Sequence, residues 1–405
     1  MIWARKGSAA AALGRAAPGL LALLLVAGCS TETKTVIPSL PRVYSDLAAD
    51  SLWYRQPQYT PAPAYTQPQP LLYEGRTYFA DRPDHILALD ALNGRMIWQT
   101  ELKPPAESLE KGVQLSTGLG AGAGLLLVGT RQGRLLALDI ATGNPRWEAQ
   151  LSSEVSAPAA VANAMVIARS NDGRVYSFNA ADGRQLWMYS SEVPPLSLRG
   201  SSRLVFDRDR VYVGLASGRL VALSLTTGDV AWDLTIGVAE GRSEFERLVD
   251  VNADPAVVGD TVYAAAYQAR VVAVTTATGR IQWSRDVSTY QGLLVDGDRL
   301  YLSTDKGSVL AINRDNGTIL WRQDELAGRR ITAPVLSLGR IMVADELGYA
   351  HWLSPDDGSF TARRQITAGA IDSAPIVDRN LLYVADATGA LQVFKISEKQ
   401  TRWQP

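Results

Sequence analysis

One unit recurs along the body of this chain, and a recurring unit of about forty residues leaves few folds open. It is clearest in VYVGLASGRLVALSLTTGDVAWDL (Val211 to Leu234), and returns as LLVGTRQGRLLALDIATGNPRWEAQL (Leu126 to Leu151), MVIARSNDGRVYSFNAADGRQLWMY (Met165 to Tyr189) and LYLSTDKGSVLAINRDNGTILWRQ (Leu300 to Gln323). Turn glycines fall at Gly94, Gly143, Gly183, Gly228, Gly279, Gly317 and Gly358, 38 to 51 residues apart. Six of the seven are followed four residues later by Trp: Trp98, Trp147, Trp187, Trp232, Trp283 and Trp321. Within each unit, alternating apolar runs such as Val211, Val213, Leu215 and Val221, Leu223, Leu225 are cut by SG and TG turns, which reads as four short strands. Four strands per period of about forty residues make a propeller blade.

Seven glycines mark seven units. An eighth begins at Ser373 in SAPIVDRNLLYVADATGALQVFKI and stops at Ile396 without an outermost strand. The missing strand is expected from SLWYRQ (Ser51 to Gln56), with Trp53 in the Trp slot, so that the two chain ends share one blade and close the ring. The fold class is therefore all-β, an eight-bladed propeller. Unit seven departs from the pattern, with Ala362 in the Trp slot and Trp352 in the strand before it. Pro70, Pro158, Pro255, Pro334 and Pro375 stand where first strands begin, with Gly292 or Ser202 in that place elsewhere; a residue without an N–H belongs on a free edge, as the innermost strand supplies. Each repeated Trp is expected to cover the gap between neighbouring blades, burying about 150–250 Å² of ring surface.

Residues 1–28 read as an export signal. Arg5, Lys6 and Arg15 precede the apolar run LLALLLVAG from Leu20, which is too short to span a bilayer. The one Cys of the chain, Cys29, follows directly in the string Leu25, Val26, Ala27, Gly28, Cys29. That string resembles the bacterial lipobox, which implies cleavage before Cys29 and lipidation of its thiol and then its amine. Several acyl chains suffice for stable anchoring without a transmembrane helix. The resulting division is a signal peptide at 1–28, a lipidated tether at 29–50 and the propeller at 51–405. Ser30 stands where Asp is a common inner-membrane retention signal, so outer-membrane sorting is expected. Removing the three basic residues of the signal from the total of 40 leaves 37 against 41 acidic side chains. A formally acidic body does not grip nucleic-acid phosphates.

No catalytic or metal-binding constellation is expected. His85 and His351 stand apart from any HExxH or CxxC string. GLGAGAG (Gly118 to Gly124) lies where an innermost strand and its hairpin belong, with no helix pattern after it to make a phosphate site. Asp207 with Asp209, and Asp296 with Asp298, sit at first hairpin turns. The unit also resembles the tryptophan-docking repeat of quinoprotein dehydrogenases, which makes an enzyme holding pyrroloquinoline quinone beside calcium the catalytic alternative. Against it stand the short chain and the commitment of the lone Cys to lipid, so no cofactor is expected.

Two segments carry a closer resemblance. PPLSLRGSS (Pro194 to Ser202) is similar to an LSLRG loop, and RLVDVNADP (Arg247 to Pro255) to an RLxDVDxxP segment, both of the BamB family of outer-membrane β-barrel assembly lipoproteins. With the lipobox and eight repeats, the resemblance covers the whole chain. It implies a scaffold without chemistry of its own, working beside other lipoproteins of that machine and unfolded outer-membrane proteins. It also implies that these two connections contact a POTRA domain of a BamA-like barrel protein, with Leu196, Leu198, Arg199, Asp250 and Asn252 as contact residues. Asn252 departs from the Asp common in the family. Exposed Leu would supply apolar area, Arg a planar donor fork and Asp a polar rim. A propeller lipoprotein scaffolding a different envelope complex is the remaining alternative.

Overall fold

The computed structural model describes residues 39–40, 42–57, 69–104, 112–198, 201–243 and 246–399. Among them the strands form eight four-stranded antiparallel sheets. In chain order the first seven blades span 71–101, 120–150, 160–190, 205–235, 256–285, 294–323 and 335–365. The eighth combines 376–398 with the early strand Leu47–Arg55. Strands are lettered a to d from the axis outward. Neighbouring a strands approach one another, as at Gly120–Gly122 beside Ala160–Ala162, where the GLGAGAG run supplies the small residues.

Sequence pattern and sheet agree in detail. Strands b and c are buried along nearly their whole length, as in Arg210–Gly214 and Arg219–Ser224, because both sheet faces pack against neighbouring blades. Pro70, Pro255, Pro334 and Pro375 each directly precede an a strand. The hairpin aspartates make their turns: Asp207 Oδ1 accepts the Asp209 and Arg210 amides at 3.1 and 2.9 Å.

The Trp rings join blade to blade in one repeated geometry. Trp53, Trp98, Trp147, Trp187, Trp232, Trp283 and Trp321 each donate Nε1–H to a carbonyl of the following blade, at 2.7 to 3.2 Å. The ring lies flat on that blade's turn glycine. A Cβ on Gly358, for example, would stand 2.5 Å from the Trp321 ring, and its φ of +72° already favours glycine.

Closure of the ring explains the irregular seventh unit. Leu47–Arg55 pairs antiparallel with Leu391–Glu398, so blade 8 takes its d strand from the N-terminal side and has no turn between strands c and d. Blade 7 therefore has no turn glycine ahead of it on which a ring could dock. Ala362, fully buried, replaces the Trp, and Trp352 fills the joint from strand c with Leu47, Leu382, Phe394 and Ile396. Arg340 clamps Asp46 through two hydrogen bonds of 2.6 and 2.9 Å, and Arg364 Nη2 donates to the Leu47 carbonyl at 2.6 Å. The closing strand begins at Leu47, four residues ahead of the expected Ser51, and takes the end of the expected 29–50 tether into the sheet. The signal peptide, Cys29, most of the Pro-rich linker and Trp403 lie outside the described residues.

Strand direction gives the ring two unlike faces. The d-to-a connections and b–c turns share one, the connection face; the a–b and c–d hairpins share the other. Leu47 pairs with Glu398 at the end of a c strand, so the chain enters the ring on the hairpin face. Leu40, just upstream, packs against the buried cluster that also receives Phe360.

Candidate protein-docking surface

Two successive connections, 191–204 and 236–255, rise from the connection face. Pro194 and Pro195 fix φ in the first. Leu196 and Val193 are each 38% exposed and Val238, in the second, 67%. All three are exposed apolar side chains on the two connections, and the blade repeat does not require them. Behind Val238 lies a cleft of about 520 Å³, with Glu240, Glu246, Arg270 and Asp286 on its walls. Glu246 Oε2 accepts the Arg242 and Ser243 amides at 2.6 and 2.9 Å, and the Glu246 amide donates to Ser243 Oγ at 3.2 Å, a reciprocal box that ties off the loop tip.

The two connections are bonded to each other. The Leu198 amide donates to the Asp250 carboxylate. Five residues on, the Arg203 amide donates to Asp254 Oδ1 at 2.7 Å, and Arg203 Nε lies 3.4 Å from Asp254 Oδ2. Beneath them Gly214, at the end of a b strand in blade 4, permits the close approach: a Cβ there would meet the Val251 carbonyl at 2.3 Å and Ser202 Oγ at 2.7 Å.

The expected contact residues therefore divide. Leu196 is exposed, as a contact residue must be. Leu198 is half-buried and Asn252 lies half-buried between buried Val251 and Ala253. Asp250, expected on a polar rim, is fully buried. The Leu198 loop covers it, and its carboxylate organises the surface from below. Burial pushes this carboxyl up to about 6, against the Leu198 amide and the positive charge of Arg169. Arg199 and Cys29 lie outside the described residues.

Both histidines are packed inside strands. His85 Nδ1 is 2.5 Å from Asp81 Oδ1 in blade 1. His351, fully buried in blade 7, is 3.1 Å from Asp345, which also binds Arg329 at 2.9 Å, while Arg363 Nε donates to His351 Nδ1 at 3.0 Å. Among the described residues, no group of three or more His, Cys, Asp or Glu is placed to hold a metal ion.

The model of the family described as outer membrane protein assembly factor BamB matches residues 82–323 and 305–405. The chain belongs to the BamB family. A BamB of Vibrio cholerae serotype O1 is 33% identical over 338 residues, 83% of this chain and 86% of that one. The crystal structure of BamB from Moraxella catarrhalis superposes with a TM-score of 0.76 at 28% identity, covering 86% of this chain and all of that one. The quinohemoprotein alcohol dehydrogenase of Comamonas testosteroni superposes at a TM-score of 0.65 with 14% identity, a likeness of fold alone. Arg169 escaped the sequence reading. The available signal was its place in the repeat, where every other blade has a small residue.

Proposed function

We propose that this chain is a scaffold of outer-membrane protein assembly, without chemistry of its own, that docks a POTRA domain of a BamA-like barrel protein on the connections that carry Val193, Leu196 and Val238. Membership of the BamB family carries this reading. Its relatives are named as outer-membrane protein assembly factors. The two connections support it: they carry exposed Val193, Leu196 and Val238 and are tied to each other by Leu198–Asp250 and Arg203–Asp254, so they offer apolar area on braced loops with charged groups nearby. A lipid on Cys29 would hold the protein at the periplasmic side of the outer membrane. Since the chain enters the ring on the hairpin face, such an anchor leaves the connection face open to a partner.

The test is recovery from detergent-solubilised envelopes. Wild-type bait should retain a BamA-like protein, while Leu196→Asp with Val238→Asp, exposed positions that leave the ring intact, should lose it. Undiminished recovery by the double variant sinks the placement. Wild-type bait that retains no barrel-assembly protein sinks the scaffold reading.

A further inference from the structure

The eight blades serve as one another's controls. The fifth residue of strand b is Ala80, Gly129, Gly214, Ala265, Ser303, Ala344 or Ala385 in seven of them. In blade 3 it is Arg169, whose side chain is buried and whose Nη1 donates to the Gly214 carbonyl at 2.5 Å. The connections can be compared in the same way. The residue whose carbonyl accepts the amide of the next blade's b–c turn is Gln114, Glu154, Ser288, Arg330 or Ala370, each at least partly exposed, and Asp250, which is fully buried. Two charged residues thus occupy positions that the fold elsewhere fills with small or solvated ones, one in blade 3 and the other in the connection between blades 4 and 5.

We propose that Arg169 and Asp250 form a buried charge lock that sets the shape of the 191–204 connection, with Arg169 as a positioning residue for the docking surface. Three strands of observation meet here. Asp250 holds the Leu198 amide from below; Arg169 pins the strand end against which Ser202 and Val251 pack; and Arg169 is the cation whose charge reaches Asp250. The arrangement is costly. Asp250 Oδ1, Arg169 Nε and Ser202 Oγ are buried without a hydrogen-bond partner among the described residues, and burial lowers the Arg169 guanidinium to about 10. Packing alone calls for none of this, since Ala or Gly closes the same position in other blades. What a buried pair of opposite charges supplies is one preferred geometry for the loops around it. The argument rests on the reading of these loops as the partner site, and its test separates the two.

Hydrogen exchange followed by mass spectrometry on the full mature chain reads the lock directly. In Arg169→Ala, amides of 194–204 should exchange about tenfold faster while strands of blades 1 and 6 keep wild-type protection. Arg169→Ala combined with Asp250→Asn should return the loop toward wild-type protection, because the uncompensated buried charge is gone and an amide oxygen still faces Leu198. Unchanged loop exchange in Arg169→Ala overturns the lock, and so does a double variant that exchanges as fast as the single one. Should Arg169→Ala not fold, Arg169→Lys replaces it: the retained charge should preserve loop protection, and loss of protection would overturn charge compensation. Binding of the isolated POTRA region of a BamA-like protein should weaken about tenfold in Arg169→Ala. Faster loop exchange with undiminished binding supports the lock and moves the partner elsewhere.

Discussion

The joint between Trp321 and Gly358 puts a number on what holds the ring together. Trp321 is 8% exposed, donates Nε1–H to the Pro355 carbonyl at 2.8 Å, and lies against Gly358 of blade 7. Trp321→Ala removes the ring and its hydrogen bond and should cost about 3–5 kcal/mol. Gly358→Ala adds two penalties: about 1–2 kcal/mol for a Cβ at φ +72°, and about 1–3 kcal/mol for a methyl only 2.5 Å from the Trp321 ring. The second penalty disappears once the ring is gone. Gly358→Ala should therefore cost about 1–3 kcal/mol less in the Trp321→Ala background than in wild type, a coupling well above the scatter of independent sites. Urea unfolding followed by far-ultraviolet circular dichroism measures all four corners without relying on the fluorescence of the mutated ring. A glycine substitution that costs the same in both backgrounds, within about 0.5 kcal/mol, would refute ring-on-glycine docking as the source of cohesion between blades.

Three further outcomes follow from the geometry. Arg340→Ala releases the Asp46 clamp; since Asp46 is 47% exposed the loss should be about 1 kcal/mol, with faster amide exchange confined to 45–50, and uniform exchange across the ring would contradict it. Asp250 titrates at about 6 in the fold against an ordinary 3.8. Its ionisation thus weakens the fold as pH rises from about 4 to 6; Asp250→Asn made in the Arg169→Ala background, where no buried cation is left unpaired, should abolish that fall, so that the double variant keeps a flat stability over this range in pH-dependent denaturation while Arg169→Ala alone declines. At the blade 7 cluster the sign is opposite. Burial lowers His351 against its Asp345 bond, and bonds from His351 and the Tyr349 and Leu347 amides hold the Asp345 carboxyl down despite burial. Stability from this cluster is present at neutral pH and lost as pH falls below the ordinary His value; His351→Asn should flatten that acid limb of the melting profile.

The sequence by itself determined the architecture. A glycine and a Trp four residues apart, recurring with the blade period, encode a turn and the ring that docks on the next one, and both are local features that need no knowledge of distant neighbours. The same pattern counted eight units and identified Trp53 as the missing member of the last, which the pairing of Leu47–Arg55 with Leu391–Glu398 bears out. It could not say why unit seven lacks its Trp, because the reason lies across a joint, in a turn that blade 8 does not have. Nor could it separate contact residues from the residues that hold them. Leu196 and Asp250 look equally like exposed loop residues in one dimension; only the fold lays the 191–204 connection over Asp250 and brings Arg169 of blade 3 beneath both. Burial of a single side chain is decided by segments fifty or more residues away, and a repeating pattern carries no record of which connection will cover which.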